Sequence, residues 1–250
     1  MTTLAVYSNK GGVGKTATAV NLAYLSALSG RATLLCDLDP QGAATFYLRV
    51  QPKLRKQARG LVKGRKAVER SIKGSDFEGL DLLPADFSHR NLDIAFDQRK
   101  RRKHRLDLVL KSLRSEYDLV VLDCPPTINI LAENIFNASD ILLIPLPPTT
   151  LSVHSHEQLS DFLNEVRGGR DRTATFLSMV DRRKKMHREL VAGLPASIDD
   201  LLNSMIPFSS QVEQMGVYRE PVPEFAPRSR AARAYRDLWH EVEGKLLTSG

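Results

Sequence analysis

Lys10-Gly11-Gly12-Val13-Gly14-Lys15-Thr16 lies between a short apolar run, Leu4-Ala5-Val6-Tyr7, and an alanine-rich helical pattern from Ala17 to Ser29. Strand, glycine loop and helix, in that order, are the setting a phosphate-binding P-loop requires. Gly11, Gly12 and Gly14 let the backbone turn its N–H groups inward around an anion, with Val13 between them. The helix that follows adds the partial positive charge of its N-terminus. Lys15 is then placed to reach the β- and γ-phosphates, Thr16 to ligate Mg²⁺, and Ala17 completes the cofactor-binding set. Asn9 stands where the usual eight-residue pattern has its first glycine, and an additional lysine, Lys10, precedes the glycines.

Further along, apolar runs of parallel-strand type end in acidic residues. Ala32 to Cys36 leads into Asp37-Leu38-Asp39-Pro40-Gln41-Gly42, and Leu119 to Leu122 leads into Asp123-Cys124-Pro125-Pro126. Open α/β sheets place ligand groups at the carboxyl ends of their strands. Asp, Pro and Gly also form ordinary turns, but next to a P-loop the aspartates are expected to face phosphate, with Asp123 holding the Mg²⁺ shell through water. Leu80–Pro84, Ile141–Pro145, Ala174–Val180 and Ile206–Phe208 read as further strands. Helical patterns cover 61–72, 90–114, 127–138, 152–166 and the C-terminus, where Tyr235, Leu238, Trp239, Val242 and Leu246 recur at three- and four-residue steps. The expectation is one α/β domain over residues 1–250: a three-layer P-loop NTPase fold, a mostly parallel twisted sheet with helices on both faces.

The 250 residues carry a net charge of +7 that is unevenly spread. Ten lysines and arginines against Glu69 lie between Arg49 and Lys73, and Arg99, Lys100, Arg101, Arg102, Lys103 and Arg105 follow one another with no acid among them. Arg182, Arg183, Lys184 and Lys185 form another cluster at the start of a helix, where cations are disfavoured by the dipole. A solvated face is the ordinary meaning of such runs; a phosphate-contacting surface, hence DNA, is the functional one. No apolar run approaches the ~18–20 residues of a membrane span, and the N-terminus enters a strand at once, which predicts no signal peptide. Two cysteines, Cys36 and Cys124, are too few for a disulfide framework and point to a reducing, cytoplasmic setting. His154 and His156 are two apart, so they do not share a helix face and are not expected to bind metal.

These stretches resemble a known family. Lys10 to Thr16 is similar to the deviant Walker A motif with its extra signature lysine, and Asp37 to Gly42 resembles the Walker A′ motif of ParA-type partition ATPases. Tyr117 to Pro126 resembles that family's Walker B strand, and Met179-Val180-Asp181 and Pro223 to Tyr235 resemble later landmarks. Asn9 fits the ParA branch better than its MinD-type relatives. The likeness covers most of the chain apart from residues 49–75 and 97–105. It implies ATP and Mg²⁺ as cofactors, Asp39 orienting the attacking water, and Asp37 supporting the metal shell or switch loop. Pro207 and the segment near Asp181 are implied as adenine contacts. Lys10 is implied to act in trans across an ATP-state homodimer. The implied partners are non-specific DNA and a stimulatory ParB-like or McdB-like adaptor, with plasmid, chromosome or carboxysome cargo moved over the nucleoid. A MinD-like membrane-cycling ATPase is the neighbouring alternative. Asp237, Glu241 and Glu243 on the C-terminal helix oppose it, because interfacial helices favour Lys and Arg on their polar face. A metabolic P-loop amidase or ligase is a further class, but neither cysteine sits in a recognisable nucleophile setting.

Overall fold

In the computed structural model, which describes residues 1–51, 61, 64–85, 89, 92–98, 102–167 and 173–247, the unbroken apolar runs become the strands of one sheet. They are β1 (Thr2–Val6), β2 (Thr33–Asp37), β3 (Lys73–Gly74), β4 (Leu80–Leu83), β5 (Leu119–Asp123), β6 (Ile141–Leu146), β7 (Thr173–Val180) and β8 (Leu201–Pro207). Their order across the sheet is β3-β4-β2-β5-β1-β6-β7-β8. Every pairing is parallel except the short β3–β4 contact at one edge. A parallel sheet is covered on both faces, so β2, β5 and β6 are buried along their whole length.

Among the described residues the helices are α1 (Lys15–Leu28), α2 (Ala43–Tyr47), α3 (Arg65–Glu69), α4 (Leu92–Asp97), α5 (Arg105–Lys111), α6 (Ile130–Ala138), α7 (Thr150–Arg167), α8 (Lys185–Gly193), α9 (Ser210–Glu213), α10 (Met215–Tyr218), α11 (Val222–Phe225) and α12 (Arg230–Leu247). Alternate strand residues feed two cores. Leu4, Val6, Leu119 and Val121 pack with α1 and α12, whereas Ala5, Tyr7, Val120 and Leu122 pack with α4, α5, α6 and α7. The apolar stripe of α12 is spent on this packing. Tyr235, Leu238, Trp239, Val242 and Leu246 are all buried, each contributing roughly 1.5–3 kcal/mol. No helix of the described residues is long and apolar enough to cross a membrane.

The element boundaries differ from expectation at four places. The helical pattern over 90–114 is divided into α4, a 3₁₀ turn at Arg102–His104, and α5. A run of like charges opposes a continuous helix. Asn134 of α6 gives α5 its own start, since its Oδ1 accepts from the backbone N–H groups of Arg105 (2.9 Å) and Leu106 (3.1 Å). β8 begins five residues before the expected Ile206 and includes the polar pair Asn203 and Ser204. Their backbone N–H groups donate to Glu241 of α12 at 2.9 and 2.7 Å, so an edge strand with a register shift keeps its outward donors satisfied. The helix at the Arg182–Lys185 cluster starts only at Lys185, and β3 adds an edge strand that the sequence pattern did not indicate.

Candidate functional site

β1 sits between β5 and β6, with the chain departing to both sides of it, so its carboxyl end is a topological switch point. The loop Lys10–Thr16 leaves from there. In register, Val6 lies opposite Asp123 and Asp37 lies opposite Asp123, which sets both aspartates beside the loop's origin. Gly12 and Gly14 hold φ of 71° and 93°, the left-handed region that favours glycine. A Cβ at either position meets no atom within 4 Å, so it is the backbone conformation and not packing that requires glycine there. α1 starts with no side-chain cap and no acid in its first turn. Its first N–H groups are thereby left for an anion.

Lys15, Asp37 and Asp123 are kept from water. Lys15 is only 7% exposed and its Nζ donates to the Lys10 carbonyl at 2.8 Å. Burial lowers its pKa, and the charge of Asp123 opposes that shift. Asp123 is fully buried, and among the described residues neither of its carboxylate oxygens has a hydrogen-bond partner. Burial, then the charge of Asp37, hold its pKa well above the usual range; the Thr16 hydroxyl, near but outside hydrogen-bonding geometry, and Lys15 act the other way. A buried carboxylate without a partner is completed by a cation or a proton. Orphaned oxygens beside a hydroxyl, next to an uncapped glycine cradle, fit Mg²⁺ and a nucleotide phosphate.

Asp37 has a different environment. Its Oδ2 accepts from the Thr45 backbone N–H (2.8 Å) and hydroxyl (2.7 Å), and its Oδ1 from the Asp39 N–H (3.3 Å). Burial pushes its pKa up to about 6 against the pull of Thr45. Thr45 in turn accepts from the Ala85 N–H at 2.9 Å, so Asp37 fixes α2 and the preceding loop. Asp39 is partly exposed in that loop; its Oδ1 accepts from the Gln41 N–H at 2.9 Å.

A cavity of about 60 Å³ opens beside the P-loop helix, lined by Gly14, Thr18, Ser178, Met179, Pro207 and Tyr235 among others. The Ser178 hydroxyl is buried there without a described partner, and Met179 holds φ of 54°, uncommon for a side-chain-bearing residue. Pro207 thus shares a wall with the P-loop. Ser178 was not evident in the sequence, where it is one more position in an apolar strand. Asp181, also near the end of β7, accepts from both arms of the Arg183 guanidinium at 2.9 Å.

The basic candidates are distributed unevenly. Arg99, Lys100 and Arg101 lie outside the described residues. Arg102 pairs with Asp97 at 2.7 Å and Lys103 with Glu133 at 2.7 Å. Arg183 pairs with Asp181 and Lys185 with Glu189, while Arg182 and Lys184 are exposed with no described carboxylate partner. Arg228, Arg230 and Arg233, around the start of α12, are exposed and likewise without a described carboxylate partner. Their signal in the sequence was masked by the apolar stripe of the same helix. His154 is exposed, and His156 is buried with its Nε2 2.9 Å from the Thr175 hydroxyl. No group of three or more His, Cys, Asp or Glu side chains that could hold a metal by themselves occurs among the described residues. Both cysteines are free and fully buried.

Comparison with known proteins agrees with this fold. Residues 1–176 match the AAA_31 family model, described as an AAA domain. The chain is 30% identical over 247 residues to the chromosome partitioning protein ParA of Caulobacter vibrioides, covering 96% of this chain and 92% of that one. It is 31% identical over 249 residues to the sporulation initiation inhibitor protein Soj of Bacillus subtilis, covering 96% and 97%. The fold superposes on cobyrinic acid a,c-diamide synthase from Mycobacterium smegmatis with bound ATP analog and magnesium, with TM-score 0.82, 27% identity, and 96% and 93% coverage. It also matches the fold of an ATP complex of a Cyanothece McdA variant, with TM-score 0.83, 22% identity, and 98% and 96% coverage. The chain belongs to the AAA-domain family AAA_31 and, within it, to the ParA and Soj line of partitioning ATPases.

Proposed function

We propose that this chain hydrolyses ATP with Mg²⁺ as a dimerising partition ATPase. It binds DNA without sequence preference in its ATP state and is released when a ParB-like or McdB-like adaptor stimulates hydrolysis. The observation that carries the reading is the orphaned Asp123 carboxylate at the mouth of an uncapped glycine loop, with Lys15, Asp37 and Asp39 beside it. Phosphoryl transfer needs neutralised oxygens and an oriented nucleophile more than covalent help from the protein. The N–H groups of Gly11 to Thr16 and the Lys15 ammonium hold phosphate. Thr16 and Asp123 would hold Mg²⁺, which would supply charge neutralisation to the phosphate. Asp39, partly exposed at the rim, orients the attacking water. Asp37 keeps the Asp39 loop in place through Thr45. Ala17 and Pro207 flank the nucleotide, the latter in the cavity that takes the base. Lys10 serves the phosphates of a second copy.

The cations Arg182 and Lys184, with Arg228, Arg230 and Arg233, which have no ion-pair partner among the described residues, support a polyanion as partner. Tyr235 lines the same cavity as Gly14 and Pro207, so the first turns of α12 stand at the nucleotide end of the sheet. The buried stripe of α12 favours this reading over a membrane-cycling one, and the buried thiols give no nucleophile for an amidase. The test is phosphate release with and without duplex DNA, alongside DNA binding with ATP, ADP and no nucleotide. We expect ATP-dependent DNA binding and turnover that Lys15→Ala abolishes. DNA binding that is equal without nucleotide, or turnover that survives Lys15→Ala, refutes it.

A further inference from the structure

Two helices that lie far apart in the chain end in the same unusual way. α2 stops at Tyr47 in a Schellman motif, where the Arg49 N–H donates to the Phe46 carbonyl (3.2 Å) and the Val50 N–H to the Thr45 carbonyl (3.2 Å). Arg49 takes the left-handed position of that motif, with φ of 56°. α10 stops at Tyr218, and Arg219 follows it with φ of 54°. Glycine suits both positions, and a side chain there costs conformational energy. Such strain persists where the surroundings hold it in place.

What holds it is an exchange between the two arginines. Arg49 Nη2 donates to the Tyr218 carbonyl of α10 at 3.3 Å, and Arg219 Nε donates to the Phe46 carbonyl of α2 at 3.0 Å. Each arginine therefore serves a carbonyl in the last turn of the other's helix, a group that the helix itself leaves open. The Arg219 guanidinium also lies over the Phe46 ring, 4.6 Å from its centroid. Arg49 pairs with Glu220 and, at 3.4 Å, with Asp76.

This joint closes a ring around the site. On one side, α2 carries Thr45, whose N–H and hydroxyl hold Asp37. On the other, buried Asn21 of α1 donates to Met215 Sδ at 3.3 Å and accepts from the Val222 N–H at 2.8 Å. The segment from α10 to α11 is thereby fixed to the helix that begins with Lys15 and Thr16. The arginines tie the Asp37–Gly42 loop to that helix by a route outside the sheet.

We propose that Arg49 and Arg219 are positioning residues for ATP turnover. Their exchange sets where the Asp39 loop stands against the phosphates and leaves the phosphate cradle itself unaltered. This rests on the reading, given above, of Asp39 as the group that orients the attacking water.

The test uses the full chain with Arg49→Gly, Arg219→Gly and both together. Glycine is at ease at these φ values, so it removes the side chains without straining the helix ends. Phosphate release from ATP with Mg²⁺ gives kcat and KM, calorimetric titration with ADP and Mg²⁺ gives nucleotide affinity, and thermal melting checks the fold. Each single variant is expected to lower kcat about five- to fiftyfold, within the ~100-fold that a misplacement of about 1 Å costs. ADP affinity should change less than about twofold and the melting temperature by less than about 4 °C. The double variant should fall little below the worse single one, because either loss opens the joint. Arg219→Lys, which keeps the charge without the planar fork, should restore only part of the rate. In an Asp39→Ala background, Arg219→Gly should leave the residual rate unchanged. If Asp39→Ala alone turns over ATP like the parent, the water-orienting reading falls and the positioning role with it. If Asp39→Ala is impaired while the glycine variants keep the parental kcat, or lose ADP affinity as much as kcat, the reading stands and the positioning role is overturned.

Discussion

Tyr7 follows β1, fully buried, with its ring edge-on to Phe136 at a centroid distance of 4.8 Å. Its hydroxyl donates to the Thr127 carbonyl at 2.7 Å. This one bond joins the strand that launches the P-loop to the Pro125–Thr127 segment that follows Asp123. Two prolines remove N–H donors from that segment, so few backbone bonds are available to hold it. Tyr7→Phe keeps the ring and its packing and leaves the Thr127 carbonyl unpaired. The expected destabilisation is about 1–2 kcal/mol, read by thermal or urea melting. On the proposed function, turnover should fall several-fold with nucleotide affinity changed less than about twofold, because the loop after Asp123 is loosened while the glycine loop is untouched. Unchanged turnover shows that the prolines alone fix the loop.

At the scale of elements, α6 connects the nucleotide end of the sheet to the basic stretch before α5. Asn129 caps α6, its Oδ1 accepting from the Leu131 and Ala132 N–H groups. One turn on, Asn134 accepts from the Arg105 and Leu106 N–H groups and donates to the carbonyls of Arg102 (2.7 Å) and Ile130 (2.8 Å). One buried side chain therefore satisfies a helix start elsewhere in the chain. Asn134→Ala should cost about 2–4 kcal/mol, since it strands several buried polar groups at once. Hydrogen exchange is expected to accelerate in residues 105–111 while β1 and α1 stay protected; uniform acceleration contradicts the local role. This cap also explains what the sequence left hidden. Lys10 to Thr16, Asp37, Asp39 and Asp123 were legible because glycine spacing and strand-ending aspartates are local signals. The division of the 90–114 helix and the extension of β8 were not, because Asn134 and Glu241 supply their hydrogen bonds from far along the chain. The pairing of Lys103 with Glu133 was hidden for the same reason.

For the whole molecule, the proposed DNA binding raises the question of which basic surface would carry it. Net charge alone does not answer it, since a cation already paired with a carboxylate releases fewer counterions than a free one. Arg102 and Lys103 are paired; Arg182, Lys184, Arg228, Arg230 and Arg233 have no described carboxylate partner. Arg182 and Lys184 follow the carboxyl end of β7, and α12 begins at the same end, so these cations stand on the side of the sheet that holds the nucleotide loop. Binding to a random duplex with ATP, followed by fluorescence anisotropy from about 50 to 200 mM salt, separates the clusters, because each phosphate contact adds about 0.9 to the log–log slope. Replacing Arg182 and Lys184 by alanine should flatten the slope by up to about 2 per chain, and replacing Arg228, Arg230 and Arg233 by up to about 3. Replacing Arg102 and Lys103 should change it by less than about 1. If the Arg102 and Lys103 change instead gives the largest loss, the interface lies along the α4–α5 connection, and the nucleotide state reaches it through α6 and Asn134.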